Sequence, residues 1–522
     1  MPRLFFSKKR VGMEKIRSAV SNSYFVLALA LVGIFIGYLL RIFLSRTLTL
    51  EEFGLFYAVS AFIGLFTLVR YLGLNQALAK FIPEFLIRNE RGNIKSSIAI
   101  VLVIQTLTII AFIMLVFAFR EQISLSFFKS PAAEPVLVLM MLSFFPSMFF
   151  TIFQSVFQGF QKLKLYASVE PVRILFTFAF SIIFIDMGAT GVAIAYLIAA
   201  CVTTAILFRN FYGLGVTKVK SKVSYRLARK LLGFGVPVFV SSIAAIVISY
   251  TDTIVITFYR TLQEVALYQV ALPTSQLLLV FSGSIAAVAF PLISELYSRK
   301  RYKDVEKGVR IMSVLLMAMI MPFVAVLATF PETIIVFLFG DSFILASFTL
   351  QVLSVSMIFY SVFVIFQTTL DGIGKPFVTT KLMFSMAAIN LILNLLLVPV
   401  LGITGSAFAS LIAYLSGAVI GMRYVSIHAG VTLPFRRLAK IIGSGAIAAA
   451  VMHSLRALLT LPILAEFILS VVAGIAAYIA AASVLRAITF EDIKFIESKG
   501  SIPGPVRKIA RFLFRQSRGV VV

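Results

Sequence analysis

Fourteen apolar runs, each near the roughly 20 residues that cross a bilayer as a helix, dominate the chain. They lie at about 21 to 45, 54 to 76, 96 to 119, 132 to 158, 165 to 186 and 189 to 208. Beyond a polar interval they resume at about 231 to 257, 265 to 291, 308 to 330, 343 to 370, 376 to 398, 402 to 424, 438 to 457 and 463 to 485. Lipid offers backbone N–H and C=O groups no partner, so each run must satisfy its own as a helix. An all-α integral membrane protein of about 14 transmembrane helices is therefore expected. The hydrophobic share of 60% and mean hydropathy of +1.03 exceed what a soluble core requires. The thinnest boundaries are Met187 with Gly188, and Gly402, where one broken helix would mimic two.

Charge orients the map. Lys and Arg number 47 against 21 Asp and Glu, a net charge of +26. In a soluble chain this would suggest nucleic acid; here the basic residues fall between apolar runs, as contacts with anionic membrane lipids do, and no nucleic-acid partner is expected. With the N-terminus inside, 38 of the 47 lie in or beside inner intervals. Only Arg46, Arg120, Lys129, Arg260 and Arg456 lie on or beside outer loops. The bias predicts N-in and C-in topology.

The most basic interval, Arg209 to Lys230, holds seven Lys or Arg and no acidic residue. It reads as the cytoplasmic connector between two lobes, with an amphipathic surface segment around Val223 to Lys230. The expected organisation is a cytoplasmic tail at 1–20, an N-lobe at 21–208, the connector at 209–230, a C-lobe at 231–425, two additional helices at 426–485 and a basic tail at 486–522. The first 20 residues lack an apolar stretch with a small-residue cleavage site and read as a retained tail.

The chain also repeats internally. Phe153, Gln154 and Gly159 recur as Phe366, Gln367 and Gly372, and Gly188-Ala-Thr-Gly191 resembles Gly402-Ile-Thr-Gly405. Arg46-Thr-Leu before Phe53 to Tyr57 is echoed by Arg260-Thr-Leu before Val265 to Tyr268. An even number of spans per copy implies that both halves enter the membrane from the same side, with a cleft between them. Pro171, Pro237, Pro273 and Pro291 fall in or at the ends of spans, where proline can kink a helix.

Nothing in the chain resembles a catalytic centre. His428 and His453 fall on opposite sides of the proposed membrane, one Cys excludes a disulfide framework, and no Gly-rich loop precedes Lys-Ser or Lys-Thr. No enzyme, cofactor or metal is expected. The informative residues are charges that lipid would reject. Arg41 and Arg70 lie in the first two spans and can also be read as snorkelling to an interface. Arg173 lies about 12 Å into the fifth span at roughly 1.5 Å per residue, with Glu170 three residues earlier as an alternative structural partner. Lys381 occupies the matching region of the second half.

Together Arg41, Arg70, Arg173 and Lys381 suit the headgroup or phosphate of an anionic lipid, because the guanidinium fork matches phosphate oxygens; a cavity for an organic anion would call for much the same residues. Asp252, flanked by hydroxyls, has two readings: a site for a coupling H+ or Na+, or a neutralising partner for Arg41. Glu170 is a second candidate for coupling or gating. Asn75, Gln76 and Gln276 are candidates for a polar pathway.

Several stretches resemble one transporter family. SRTLTLEEFGLFYAVSAF at 45–62, LGFGVPVFVSS at 232–242, TDTIVI at 251–256, QTTLDGIGKP at 367–376 and LNLLLVPVLGITGSAFAS at 393–410 are similar to the polysaccharide biosynthesis or oligosaccharide flippases. These belong to the multidrug/oligosaccharidyl-lipid/polysaccharide (MOP) superfamily, with lipid II flippases and multidrug and toxin extrusion (MATE) carriers as relatives. The resemblance implies a V-shaped arrangement of two six-helix lobes plus two C-terminal helices. It also implies alternating access that moves a polyisoprenyl-linked oligosaccharide to the outer leaflet of a prokaryotic plasma membrane.

In relatives that flip diphosphate-linked lipids, arginines of the first two spans line the cavity, and Arg41 and Arg70 are the nearest matches. A functional monomer working beside glycosyltransferases or a polymerase would fit. The alternative is an ion-coupled multidrug or organic-cation exporter of the same fold.

Overall fold

A computed structural model describes residues 3–216, 219, 223–459 and 461–487, the side chains of 3–24 and 68–71 excepted. Among the described residues all regular structure is helical. The chain divides into two compact units, Met1–Ala266 and Leu267–Val522. The first runs through α1 (Arg3–Thr47), α2 (Leu50–Tyr71), α3 (Leu74–Ile87), α4 (Arg91–Ala118), α5 (Arg120–Gln122), α6 (Ala133–Leu142), α7 (Phe144–Gly159), α8 (Leu163–Ile183), α9 (Gly188–Tyr212), α10 (Tyr225–Tyr259) and the start of α11 (Leu262–Gln276). The second completes α11 and continues through α12 (Leu279–Ser298), α13 (Tyr302–Thr329), α14 (Pro331–Phe339), α15 (Ser347–Gly372), α16 (Pro376–Leu401), α17 (Ile403–Ala429), α18 (Phe435–Leu458) and α19 (Ile463–Val484).

Among the described residues, fourteen segments are long and apolar enough to cross a membrane, in agreement with the fourteen runs of the sequence. The 25 residues of α9 reach about 37 Å at ~1.5 Å per residue, enough for a hydrocarbon layer of ~30 Å. Hydropathy does not reveal that, among the described residues, three of these runs are interrupted. The second breaks between α2 and α3, at left-handed Leu72 and Gly73. The fourth breaks between α6 and α7 at Ser143, whose hydroxyl donates to the Met140 carbonyl at 2.6 Å. The eighth breaks between α11 and α12. Pro171, Pro237, Pro273 and Pro291 all sit inside helices that continue through them.

In the first unit α1 lies on α8, α8 on α9, and α7 on both α3 and α9. Helix α10, the seventh span, packs on α2, α3 and α4, which carries the unit past the connector. Three connector lysines, Lys218, Lys220 and Lys222, lie outside the described residues. At its far end Leu227 and Leu231 are buried among exposed Tyr225, Arg226, Arg229 and Lys230, so the amphipathic stretch is the first turns of α10. Lys230 there meets Glu84 at 3.4 Å. The basic tail lies outside the described residues from 488 onward.

In the second unit α15 packs on α12, α13 and α17. Helices α16 and α17 are joined by buried polar groups: the Ser406 hydroxyl donates to Asn394 Oδ1 at 2.7 Å, and Asn390 Nδ2 to Ser410 Oγ at 3.2 Å. Such bonds join helices where water supplies no packing force. The final pair, α18 and α19, docks on α13, with the Tyr478 hydroxyl donating to the Ala318 carbonyl at 2.9 Å.

The repeat is visible in backbone detail. After α7 the Lys162 N–H donates to the Phe157 carbonyl at 2.8 Å, and after α15 the Lys375 N–H donates to that of Leu370, also at 2.8 Å. Gly159 packs on Ile82, and Gly372 on Ile293. Gly188 has φ 62° and ψ −144°, and Gly402 has φ 60° and ψ −140°. Each interrupts a helix where L side chains are strained, which makes these thin boundaries true ends of helices. Thr49 caps α2, where the Glu52 N–H donates to its hydroxyl at 3.2 Å; the Glu264 N–H donates to Thr261 Oγ1 at 3.3 Å at the start of α11.

Candidate functional site

The site begins with a seam of small residues. Gly33 and Gly37 of α1 lie one turn apart, and a Cβ on either would sit 3.5 Å from Pro171 or 3.7 Å from Ile174 of α8. Small residues at this spacing let two membrane helices approach closely. Arg41 is the next residue at the same four-residue spacing, so the packing that seats α1 on α8 carries Arg41 to the face that bears Glu170 and Arg173. Phe43 and Phe178 close the seam beyond it, with ring centroids 5.7 Å apart.

Two tyrosines complete the cluster. The Arg41 guanidinium carbon stands 4.1 Å from the centroid of the Tyr57 ring, a cation–π contact between α1 and α2. Phe53 and Phe56 pack on Tyr57 at 4.7 and 5.2 Å, and Phe56 packs on Tyr196 of α9 at 5.2 Å. Tyr196 is within electrostatic reach of both Arg41 and Arg173. Arg173 Nε meets Glu170 Oε2 at 2.7 Å, with side-chain exposures of 23% and 56%. Beside the pair, a cavity of about 410 Å³ is lined by Gly33 and Gly37 of α1, Glu170 and Arg173 of α8, and Gln154 of α7.

Chemically this is a place to bind rather than to react. Two guanidiniums and one carboxylate share a membrane-embedded cluster with two phenols. Arg41 meets Tyr57 by a cation–π contact, and a guanidinium carries a planar N–H fork that matches phosphate or carboxylate oxygens. Among the described residues no group of three His, Cys, Asp or Glu could hold a metal ion.

Of the residues singled out from sequence, Arg41, Glu170 and Arg173 come together. The Arg70 side chain lies outside the described residues. Asn75 accepts a hydrogen bond from Gln105 Nε2 of α4 at 3.0 Å, a link between α3 and α4 separated from Tyr57 by the break at Leu72 and Gly73. Gln76 is exposed. Asp252 is 3% exposed on α10, between buried Thr251 and Thr253. Gln276 and Lys381 are exposed in the second unit, where Lys381 Nζ lies 4.8 Å from the centroid of its neighbour Phe377.

Tyr57 and Tyr196 escaped sequence reading because nothing distinguishes them there from other aromatics of an apolar helix. The signal for Tyr57 was its place in the motif at 45–62. Gln105, fully buried with no partner for its Oε1, was likewise missed, and its place in the middle of the third span was the available signal.

The family model for polysaccharide biosynthesis proteins matches residues 19–297, and that for MatE matches 237–400. The chain is 32% identical over 401 residues to the uncharacterized membrane protein MJ1068 of Methanocaldococcus jannaschii, covering 73% of this chain and 78% of that protein. It is 23% identical over 439 residues to the probable low-salt glycan biosynthesis flippase Agl15 of Haloferax volcanii, covering 84% and 89%.

Among solved structures, the lipid II flippase MurJ in an inward closed conformation superposes with a TM-score of 0.73 at 17% identity, covering 89% of this chain and 98% of that one. An inward-facing MATE transporter of the MOP superfamily gives 0.62 at 15% identity, covering 76% and 94%. The fold is therefore that of the MOP superfamily. With more than half its length matched by the family model and a relative at 32% identity, this multi-pass membrane protein belongs to the polysaccharide biosynthesis protein family.

Proposed function

We propose that the chain is a flippase that moves a lipid-linked oligosaccharide across the membrane for glycan biosynthesis, with Arg41 and Arg173 holding the phosphate of the cargo. The observation that carries this reading is the convergence of Arg41, Tyr57, Arg173 and Tyr196 from four helices of one unit. Guanidiniums in lipid are costly and mark substrate pathways. An anionic headgroup with an apolar tail explains both the charge and the apolar bulk around it. The names of relatives, a glycan biosynthesis flippase and a lipid II flippase, agree with a transporter rather than an enzyme.

In finer detail, the cargo is a polyisoprenyl phosphate or diphosphate carrying a glycan, taken up at the basic, inner side of a prokaryotic plasma membrane and released outside by alternating access. Glu170 is the resident counter-anion of Arg173 and gives way when phosphate arrives. H+ or Na+ is the coupling ion, with Asp252 as its seat. Glycosyltransferases and a polymerase supply and consume the cargo.

The test is translocation of a fluorescent polyisoprenyl-diphosphate oligosaccharide in proteoliposomes. Arg41→Ala and Arg173→Ala should each slow it by about tenfold or more, the scale of losing a charge-assisted hydrogen bond worth roughly 1.5–3 kcal/mol. Wild-type rates in both variants, at equal reconstitution, would overturn the assignment. A second reading, an ion-coupled exporter of organic cations, is favoured by the burial of Asp252. Against it, guanidiniums outnumber carboxylates in the cluster. Transport of a lipophilic cation that is lost in Asp252→Asn and kept in Arg41→Ala would select it.

A further inference from the structure

A second cavity in the first unit, distinct from the arginine cluster, has a volume of about 570 Å³, within the ~300–1,000 Å³ typical of small-molecule sites. It lies where the turn from α10 to α11 meets the start of α2 and the turn at Lys129. From its chemistry we infer that it is a binding site for neutral sugar residues, the glycan part of the cargo. The inference rests on the flippase reading for its cargo, and on the charge bias of the loops for its position on the outer face.

The walls are tied together. Lys129 Nζ donates to the Phe258 carbonyl at 2.9 Å, bridging two distant turns. Arg260 Nε reaches both carboxylate oxygens of Glu264 at 3.0 Å. The Leu262 carbonyl sits against Gly54 of α2, where a Cβ would collide with it. These contacts hold the rim without filling it. Glu51, Gln263 and Tyr259 also line the cavity, and all three residues are exposed.

Charge decides the class of ligand. Two cations, Lys129 and Arg260, balance two carboxylates, Glu51 and Glu264, so the lining carries no net charge to favour a bare anion or cation. What it offers is a carboxylate acceptor, an amide that donates and accepts, and a phenol. The Tyr259 ring, exposed at 43%, adds a flat apolar face. A pyranose presents the complement: hydroxyls around its edge and a C–H face that packs on an aromatic ring. The arginine cluster differs on both counts, being cationic and embedded in the membrane span.

The experiment is saturation-transfer difference NMR on the purified full chain, with methyl glycosides of a hexose, an N-acetylhexosamine and a deoxyhexose as probes and inorganic phosphate as a competitor. At least one glycoside should show transfer that phosphate does not compete away. Tyr259→Ala and Gln263→Ala should each weaken it by about tenfold, as truncation of a central contact does. Both side chains are exposed, and the thermal midpoint of each variant reports folding separately; should one misfold, the other decides. No transfer from any glycoside, equal transfer in the folded variants, or transfer abolished by phosphate would overturn the inference. Sugar binding is read without lipid or translocation, so a failed flipping assay bears on the proposed function alone, and absent sugar contacts in a protein that flips bear on this site alone.

Discussion

The guanidinium of Arg41 lies over the face of Tyr57, 4.1 Å from the ring centroid, and this contact ties the first membrane helix to the second. A cation–π contact is worth about 0.5–2 kcal/mol, more when desolvated, so it both holds Arg41 in place and offsets part of the cost of its charge in lipid. Tyr57→Phe keeps the aromatic face and should leave translocation within about twofold of wild type. Tyr57→Leu removes the face and should lower it by roughly 2- to 30-fold, the range given by that energy. Initial flipping rates in proteoliposomes check both; equal rates for the two variants would mean that Tyr57 does not position Arg41.

Glu170 and Arg173 make a different kind of pair. Their ion pair at 2.7 Å lies on one helix, with the carboxylate the more exposed partner at 56% against 23%. That exposure makes Glu170 the partner that an incoming anion can replace. Glu170→Gln keeps the shape and removes the competing charge, so binding of a soluble diphosphate should tighten by about threefold to tenfold. Arg173→Lys loses the fork and should weaken it. Competition between inorganic diphosphate and the lipid-linked cargo measures both, and weaker binding in Glu170→Gln would show the carboxylate to be part of the site rather than its occupant.

How far the fold could be read from sequence depends on which signals survive in a chain rich in apolar residues. Span number survived, because the fourteen runs are separated by charge. The repeat survived through glycines whose geometry has no substitute: Gly188 and Gly402 share one backbone conformation, and selection for it leaves a matching letter at each place. The break at Leu72 within the second span did not survive, since leucine in a left-handed conformation looks like any leucine in a hydropathy window. Arg41 and Arg173 stood out as charges in lipid, but the sequence could not show that Gly33 and Gly37 align them through α8. Tyr57 and Tyr196 carry no such mark, and the sequence did not show that the Asn75 side-chain carbonyl accepts from Gln105.

Gly188 offers a test of the repeat as a physical constraint. Its φ of 62° with ψ −144° is a region essentially reserved for glycine, and the Glu52 carboxylate occupies the space a Cβ would need. Gly188→Ala should therefore destabilise the protein by about 1–3 kcal/mol. The same substitution at Gly191 meets the Phe184 carbonyl instead, a collision without a backbone penalty. If strain dominates, Glu52→Ala will not rescue the thermal midpoint of Gly188→Ala in detergent; if the collision dominates, it will recover most of the loss.

The buried bond from Ser406 to Asn394 at 2.7 Å gives the motif at 393–410 a physical reason, for it joins the end of α16 to the start of α17 where neither side chain is exposed. Asn394 also donates from Nδ2 to the Asn390 carbonyl at 2.9 Å, so its loss removes more than the bond it shares with Ser406. Interhelical hydrogen bonds in membranes average about 0.6 kcal/mol and reach about 1.7. Ser406→Ala should cost an amount in that range, and Asn394→Ala should cost more, since it also leaves a cavity. The pair should be non-additive, because the second substitution has no shared bond left to break. Denaturation midpoints of the two single variants and the double variant measure this directly. Strict additivity would mean that the two helices are held by packing alone and that the polar letters of the motif serve some other end.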